Sequence, residues 1–224
     1  MTAGSDEARI HHGQAGIIPR GLLILGFGGH ARSVSDVALD LGIPDLAFVE
    51  ASARDGELFA GFPVFTTIPR PLQEGWTIFP AAGDNINRQR QVEDAAAIAL
   101  PLRSLVSKRA YVGIGAAVKD GSFVAHHAHV GPMASIGRAT IINTAAVVDH
   151  ESCVGDFSHI SVNATVAGRC NIGSMVFLGA GATVIDRVRV VDHVIIGAGS
   201  TVVEDITEPG VYIGCPARRK KVDS

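Results

Sequence analysis

A six-residue repeat runs through the C-terminal half of the chain and limits what this half can fold into. Every sixth residue from Val106 to Val202 is valine, isoleucine or leucine, and the residue four places later, as far as Cys170, is alanine, serine, threonine or cysteine. A period of six fits neither an α-helix nor a simple hairpin sheet. A solenoid of short strands and tight turns fits it, because one aliphatic side chain enters the interior at each step and the small residue lets the corner close.

The composition agrees with a narrow aliphatic interior and excludes several classes of protein. The 224 residues include 9 Phe, 2 Tyr and 1 Trp, with 26 Gly, and the formal net charge of -3 is unlike that of a nucleic-acid binder. The longest apolar runs are too short to span a bilayer, and the first residues lack the apolar core of a signal peptide. Three cysteines without metal-ligand spacing fit a reducing compartment. We therefore expect a cytoplasmic protein that does not insert into membranes.

Three parts follow one another along the chain. Residues 1–20 are polar and aperiodic, which predicts a flexible tail. Residues 21–103 alternate strand and helix patterns and predict an α/β domain, half of a Rossmann-like fold with a parallel sheet. The predicted strands are GLLILG, DLAFVE, GFPVF and WTIFPAAGD, and the predicted helices are HARSVSDVALDLG and NINRQRQVEDAAAIAL. Residues 104–224 form the solenoid.

Four segments carry a family resemblance: LLILGFGGHARSVSDVALDLG, AAGDNINR, INTAAVVDHESCVGDFSHISVNATVAG and VYIGCPARR. Together with the hexads, they resemble the hexapeptide-repeat acyltransferases, in which three hexads make one coil of a left-handed parallel β-helix. Within that superfamily they look like the bacterial sugar-nucleotide N-acetyltransferases, which act on UDP-4-amino sugars or GDP-perosamine, with sialic acid O-acetyltransferases as relatives. The resemblance covers residues 21 to about 220.

This resemblance implies an activity and its partners. We expect acetyl-CoA as co-substrate, with a nucleotide-linked amino sugar, a 4-amino-4,6-dideoxy sugar, as acceptor. The amine would attack the thioester directly, without an acyl-enzyme. The resemblance also implies a homotrimer with active sites between subunits, and a role in surface-glycan biosynthesis such as that of O-antigen.

His150 and Glu151 follow Val148, where the hexad places a turn. Histidine titrates near neutrality, and an adjacent carboxylate orients the imidazole and raises its basicity. From the residues alone, the simpler interpretation is an exposed turn histidine beside an exposed acid. The resemblance implies instead that His150 is the general base and Glu151 its partner.

The segment from Gly26 to Ala31 fits the dinucleotide fingerprint G-x-G-x-x-A, with Glu50 at a suitable distance downstream. The α/β part is only half the size of a usual dinucleotide domain, and no hydride-transfer site follows it. Glycines at a helix N-terminus bring backbone N–H groups equally close to the diphosphate of a sugar nucleotide. We therefore expect substrate contacts at Gly28, Gly29, His30 and Glu50, although relatives usually have aspartate at the last position.

The resemblance adds a second substrate loop and a set of cofactor contacts. The loop is Gly83, Asp84, Asn85 and Arg88, with Asn143 as a further contact to the sugar or the base. A solvated helix face is the alternative for Arg88, and a turn position for Asn143. The expected acetyl-CoA contacts are His159, Gly179, Gly197, Pro216 and Arg218. The alternatives are that His159 is a structural histidine whose hydrogen bonds are made within the protein, and that the terminal segment is a solvated tail.

His126, His127 and His129 suggest a metal site, because gamma-class carbonic anhydrases use the same coil and bind zinc through histidines. Here the three histidines occupy one turn without a matching pair downstream, so we expect no metal. Two other functions stay open. The chain could be an O-acetyltransferase acting on a hydroxyl, as of sialic acid, or a non-catalytic nucleotide-sugar binder, against which the intact His150–Glu151 pair argues.

Overall fold

The computed structural model describes residues 18–71, 74–98 and 100–220. Residues 1–17 of the predicted tail lie outside this range. Within it, no helix is long and apolar enough to cross a membrane.

The α/β part is a five-stranded sheet with two helices. Its elements are β1 (Gly21–Leu25), α1 (Gly29–Asp40), β2 (Asp45–Val49), β3 (Leu58–Phe59), β4 (Phe62–Phe65), β5 (Trp76–Pro80) and α2 (Asn85–Ala96). The strand order is β3-β4-β2-β1-β5, parallel except for the β3–β4 hairpin. The four strands and two helices predicted from the sequence are confirmed, whereas β3 was missed because two residues show no periodicity. The parallel pairing brings the carboxyl ends of β1, β2 and β5 to one edge.

From Leu105 the chain winds as a parallel solenoid with one short strand per hexad. Strands 18 residues apart pair in parallel, as His129 does with Val147, so three hexads make one coil. The first face consists of β6 (Leu105–Val106), β9 (Phe123–Val124), β12 (Ile141–Ile142), β15 (His159–Ile160), β18 (Phe177–Leu178), β21 (Val194–Ile196), β23 (Gly210–Ile213) and the antiparallel β24 (Arg218–Arg219). The second consists of β7 (Tyr111–Val112), β10 (His129–Val130), β13 (Val147–Val148), β16 (Thr165–Val166), β19 (Thr183–Val184) and β22 (Thr201–Val202). The third consists of β8 (Ala117–Val118), β11 (Ser135–Ile136), β14 (Cys153–Val154), β17 (Asn171–Ile172) and β20 (Arg189–Val190).

The interior of the solenoid is the aliphatic column predicted from the repeat. From Val124 to Val202, each repeat aliphatic is at most 3% exposed. One residue per turn, in steps of six from Gly115 to Gly199, has a positive φ, which turns the chain from one face to the next. For a residue with a side chain this conformation costs about 1–2 kcal/mol, so the packing of successive coils has to compensate for it.

The two parts of the chain share one hydrophobic core. Leu105, Phe123 and Ile141 are the first residues of three first-face strands, and each is buried in one cluster with Leu22 and Phe48 of the α/β sheet. Because strand residues alternate sides, these side chains point away from the solenoid interior. The α/β part therefore covers the first three strands of the first face and fixes the fingerprint loop against the coils.

Small polar residues at the corner between the third and first faces form a hydrogen-bond ladder. The hydroxyls of Ser122, Thr140 and Ser158 donate to carbonyls 15 residues ahead at 2.6–2.8 Å. Each also accepts the backbone N–H 18 residues ahead, at 3.0–3.3 Å. The sequence explained these small residues by steric closure alone, and this hydrogen-bonding role was missed.

We predict that Ser158→Ala lowers the free energy of unfolding by about 1–3 kcal/mol, because it strands a buried amide and a buried carbonyl. Urea denaturation measures the change. Ser161→Ala removes a hydroxyl that makes no hydrogen bond among the described residues and should leave the midpoint nearly unchanged. Equal midpoints for both variants would contradict a stabilising ladder.

Candidate functional site

An open cavity of about 430 Å³ lies at the carboxyl edge of the α/β sheet. Five of the expected substrate residues line it: Gly28, Gly29, His30, Glu50 and Gly83. The fingerprint loop reaches the cavity because Gly26 takes a φ of 102°, and α1 then begins at Gly29. Exposed backbone N–H groups at the start of a helix attract anions, so the cavity is suited to a phosphate-bearing ligand.

Two residues that the sequence did not single out complete the cavity wall. Asn87 and Gln91 lie one turn apart on α2 and face the loops. The Gln91 amide donates to the Leu25 carbonyl and accepts from the Ala82 N–H, both at 2.9 Å. It thereby ties the end of β1 to the loop after β5. The sequence feature that could have identified them is their spacing of four residues on α2, the helix that follows the loop after β5.

Asp84 and Asn85 lie beside the cavity and have structural partners. The Asp84 carboxylate caps α2 by accepting the Asn87 N–H at 2.9 Å. The Asn85 side-chain amide donates to the Val176 carbonyl of the solenoid at 3.2 Å. Both residues fix the loop that the resemblance assigned to the substrate, and neither lines the cavity.

Arg88 is fully buried between the two parts of the chain, at 0% exposure. Its guanidinium donates to the carbonyls of Ala82 and Gly83 and to the Asn85 side chain on one side. On the other side it donates to three carbonyls of the solenoid, those of Ala139, Phe157 and Ser158. Burial lowers the pKa of Arg88 to about 10, so the side chain stays charged at neutral pH.

This placement corrects both interpretations of Arg88. A solvated helix face is wrong, because the side chain is buried. The expected substrate contact is replaced by a junction role, since the guanidinium points at carbonyls of both parts of the chain and not into the cavity. The junction role of Arg88 could not be predicted from the sequence. Its partners are mostly backbone carbonyls, which every residue type carries.

Asn143 and His159 form one unit at the domain junction. The Asn143 amide donates to His159 Nε2, and His159 Nδ1 donates to the Gly83 carbonyl, both at 3.1 Å. The Asn143 oxygen accepts the Thr144 N–H at 2.8 Å. His159 is 7% exposed. The sequence assigned these two residues to different ligands, whereas the structure joins them to the cavity loop.

The His159 ring lies 6.1 Å from the His30 ring, and the His30 Nε2 atom is buried without a partner among the described residues. Burial lowers the pKa of His159 to about 4, and the charge of Arg88 acts in the same direction. Burial lowers the pKa of His30 to about 3, with smaller contributions from His159 and Arg88. Both rings are therefore neutral near pH 7.

The remaining expected cofactor residues lie along one side of the solenoid. Asn143, Gly179 and Gly197 each follow a first-face strand and stack in one column, parallel to the solenoid axis. The hairpin of β23 and β24 continues the first face and carries Pro216 and Arg218. Arg218 is exposed and donates to the Glu204 carboxylate at 2.8 Å.

His150 and Glu151 occupy the next corner, between the second and third faces. Glu151 has the positive φ of the corner, 58°, and its carboxylate accepts from His150 Nδ1 at 3.1 Å. A proton on Nδ1 leaves the Nε2 lone pair free. The His150 side chain is 39% exposed, so a ligand can reach it. This corner can accept a proton.

Gly168 lies against His150, and the sequence analysis did not single it out. It lies one coil beyond His150, and a Cβ built there would stand 2.5 Å from His150 Nε2. Only glycine therefore leaves room for the ring. The sequence does mark this position. Of the residues that stand two places after a repeat aliphatic, from Lys108 to Glu204, Gly168 alone is glycine.

The histidines at 126–129 have other partners. His126 contacts the Ser107 hydroxyl at 2.6 Å and the Asp36 carboxylate at 3.0 Å, and His129 stacks on Tyr111. Among residues 18–71, 74–98 and 100–220, no three histidine, cysteine or acidic side chains converge as metal ligands.

Comparisons with known proteins agree with both parts of the fold. Residues 21–95 match the family model described as the PglD N-terminal domain. The acetyltransferase domain of PglB from Neisseria gonorrhoeae, solved alone and with acetyl coenzyme A, is 32% identical, with 90% of this chain and 100% of that chain covered and a TM-score of 0.84.

PerB from Caulobacter crescentus, solved with CoA and GDP-perosamine, is 32% identical, with 90% and 97% of the two chains covered and a TM-score of 0.83. A histidine-to-asparagine variant of perosamine N-acetyltransferase from the same organism, also with CoA and GDP-perosamine, is 30% identical over the same shares, with a TM-score of 0.82. A search of curated protein sequences finds no match.

We predict that the free energy of unfolding decreases as the pH falls below about 6.5. The unfolded chain protonates its histidines near 6.5, whereas folded His159 stays neutral down to about pH 4, so the unfolded state binds more protons in this window. The expected slope is about 1.4 kcal/mol per pH unit for each of the two buried histidines. Urea denaturation across the window measures it.

His159→Gln should remove about half of that slope, since His30 remains. His193→Gln replaces an exposed corner histidine and should keep the full slope. An unchanged slope in His159→Gln would mean that this histidine is not buried as a neutral group.

Proposed function

The chain belongs to the hexapeptide-repeat, left-handed β-helix acetyltransferases, together with the PglB acetyltransferase domain and perosamine N-acetyltransferase, and we propose that it acetylates the amine of a nucleotide-linked amino sugar. It is an acetyl-CoA-dependent N-acetyltransferase. The proposed acceptor is a 4-amino-4,6-dideoxy sugar used in surface-glycan assembly. The observation that carries the proposal is the free Nε2 of His150, with Nδ1 held by Glu151.

Binding of the nucleotide is assigned to the cavity at the carboxyl edge of the sheet. Its backbone N–H groups at Gly28 and Gly29 suit a diphosphate, and Glu50 lies at the side where a ribose or base would extend. PerB, which is 32% identical to this chain, has been solved with the sugar nucleotide GDP-perosamine, and this supports a sugar nucleotide as the class of ligand.

In the proposed reaction, the neutral sugar amine attacks the thioester carbon of acetyl-CoA. The new C–N bond forms as the C–S bond breaks, the amine proton passes to His150 Nε2, and the imidazolium then gives this proton to the CoA thiolate, which leaves as the free thiol. Glu151 keeps Nδ1 protonated and stabilises the imidazolium that results. Backbone N–H groups of the coil would polarise the thioester carbonyl.

The acetyl-CoA arm is assigned to the column of Asn143, Gly179 and Gly197, which leads towards Pro216 and Arg218. The pair of Asn143 and the buried His159 would shape the wall between this column and the proposed nucleotide cavity. Arg218 is the exposed cation at the far end, where a CoA phosphate would be neutralised.

We further propose a homotrimer, because the two halves of the assigned site occupy different corners of one chain. Asn143 precedes the second-face strand Val147–Val148, whereas His150 follows it. In a closed ring of three copies, the His150 corner of one subunit can meet the Asn143 column of the next. The site would then be complete only between subunits.

We predict that thiol release from acetyl-CoA occurs with at least one UDP-, GDP- or dTDP-linked amino sugar, and that His150→Ala lowers kcat by about 100-fold to 10,000-fold through loss of the general base. His193→Ala, at an exposed corner outside the assigned site, should retain wild-type turnover. Turnover of hydroxy sugars only would favour an O-acetyltransferase, and tight binding without thiol release a non-catalytic binder. Undiminished activity in His150→Ala would exclude this histidine as the base.

A shared site also predicts complementation. Co-expression of His150→Ala with Asn143→Ala should restore about a quarter of wild-type activity. Each interface needs an intact His150 from one subunit and an intact Asn143 from the next, and random assembly combines the two at about one interface in four. Co-expression of His150→Ala with Glu151→Ala places both defects at the same corner and should restore nothing. A monomer by light scattering, or equal recovery in both mixtures, would contradict the shared site.

A further inference from the structure

The column beneath His150 holds a second carboxylate. The 18-residue coil stacks His150, Gly168 and Asp186 at the corner between the second and third faces. A Cβ on Gly168 would lie 2.5 Å from His150 Nε2 and 2.9 Å from Asp186 Oδ1. The imidazole nitrogen proposed to take the proton and the carboxylate oxygen therefore converge over the same glycine, from opposite sides.

Two arginines fix the orientation of Asp186. Arg169 Nη2 lies 3.4 Å from Asp186 Oδ1, and Arg187 Nε lies 3.3 Å from Oδ2. Arg169 Nη1 also approaches Glu151 Oε2 at 3.8 Å, which links the two carboxylates that flank His150. These ion pairs are about half exposed and add little stability. Their effect is to hold the Asp186 carboxylate in place and to balance its charge.

We propose that Asp186 makes the site selective for an amine over a hydroxyl acceptor. This inference rests on the proposed function and deepens it, because it concerns the acceptor group at His150. The two acceptor groups differ in the number of hydrogens that they can donate. A neutral amine has two N–H groups and one lone pair, whereas a hydroxyl has one O–H group and two lone pairs.

An amine satisfies the whole site at once. Its lone pair attacks the thioester, one N–H points at His150 Nε2 and gives up its proton, and the other N–H donates to Asp186 Oδ1 and stays on nitrogen. A hydroxyl gives its only proton to His150 and turns its remaining lone pair towards the Asp186 carboxylate. A site with an acceptor placed for a second N–H rejects the analogue that lacks it.

The test compares wild type with Asp186→Ala in the full chain, on a nucleotide-linked amino sugar and on the matched sugar with a hydroxyl in place of the amine. We expect kcat/KM for the amino sugar to fall by about 10-fold to 100-fold, because a hydrogen bond to a charged group is lost. The KM for acetyl-CoA should stay within about twofold of wild type, and the inhibition constant of the hydroxy analogue should stay unchanged or fall, because Asp186→Ala also removes the carboxylate that faces the hydroxyl lone pair. Asp186→Asn, which keeps one carbonyl acceptor, should recover part of the loss.

Asp120→Ala is the matched control, since Asp120 holds the same hexad position at an exposed corner of another column. It should match wild type in every measurement. Unchanged amino-sugar kinetics in Asp186→Ala would overturn the inference, and so would an equal weakening of the hydroxy analogue, which would mean that Asp186 only shapes the pocket. Wild-type thiol release on the amino sugar reports separately on the proposed function. If the wild-type protein acetylates only the hydroxy sugar, both the proposed function and the role of Asp186 are contradicted.

Discussion

The rest of the structure depends on one buried cation. The Arg88 guanidinium has no exposed surface, and its N–H groups point at six oxygen atoms, three from the loop at residues 82–85 and three from the solenoid. Each of these oxygens accepts from a charged N–H donor, and the Ser158 carbonyl also accepts the Ile141 N–H of the neighbouring coil at 2.9 Å. The arginine supplies charged donors to both parts together. The cavity at the carboxyl edge of the sheet thereby keeps a fixed position relative to the coils.

The hexad allowed the solenoid to be predicted almost completely, because its signal lies in inward positions that solvent and ligands do not reach. A buried aliphatic column tolerates few residue types, so an aliphatic residue at each repeat position indicates that this position is buried. The hydroxyl ladder of Ser122, Thr140 and Ser158 left no such signal. A serine that only closes a corner cannot be distinguished in the sequence from a serine that also hydrogen-bonds to the neighbouring coils. The two roles can be told apart only when the register between coils is known.

The site was predictable in part, and the division has a physical basis. Gly28, Gly29 and His30 could be grouped from the sequence because a glycine turn before a helix is a local pattern, and the structure places all three in the lining of the cavity. Arg88 was misread because its solenoid partners lie 51–70 residues away and are backbone carbonyls. Gly168 could have been found, since it breaks a rule of the repeat, but its meaning depends on knowing that the coil has 18 residues and that His150 therefore lies above it.

The same register explains how chemistry is added to so regular a scaffold. The inward positions are occupied by packing side chains, whereas the corners present side chains that contact neighbours in adjacent coils without entering the core. Within a column, His150, Gly168 and Asp186 can therefore be tuned together without disturbing the core. Among the described residues, no hydrogen bond or ion pair joins the His150 corner to Asn143, because a second-face strand separates them. A reaction that needs both corners has to bring a second copy to the first, so in the proposed shared site assembly is itself a catalytic requirement.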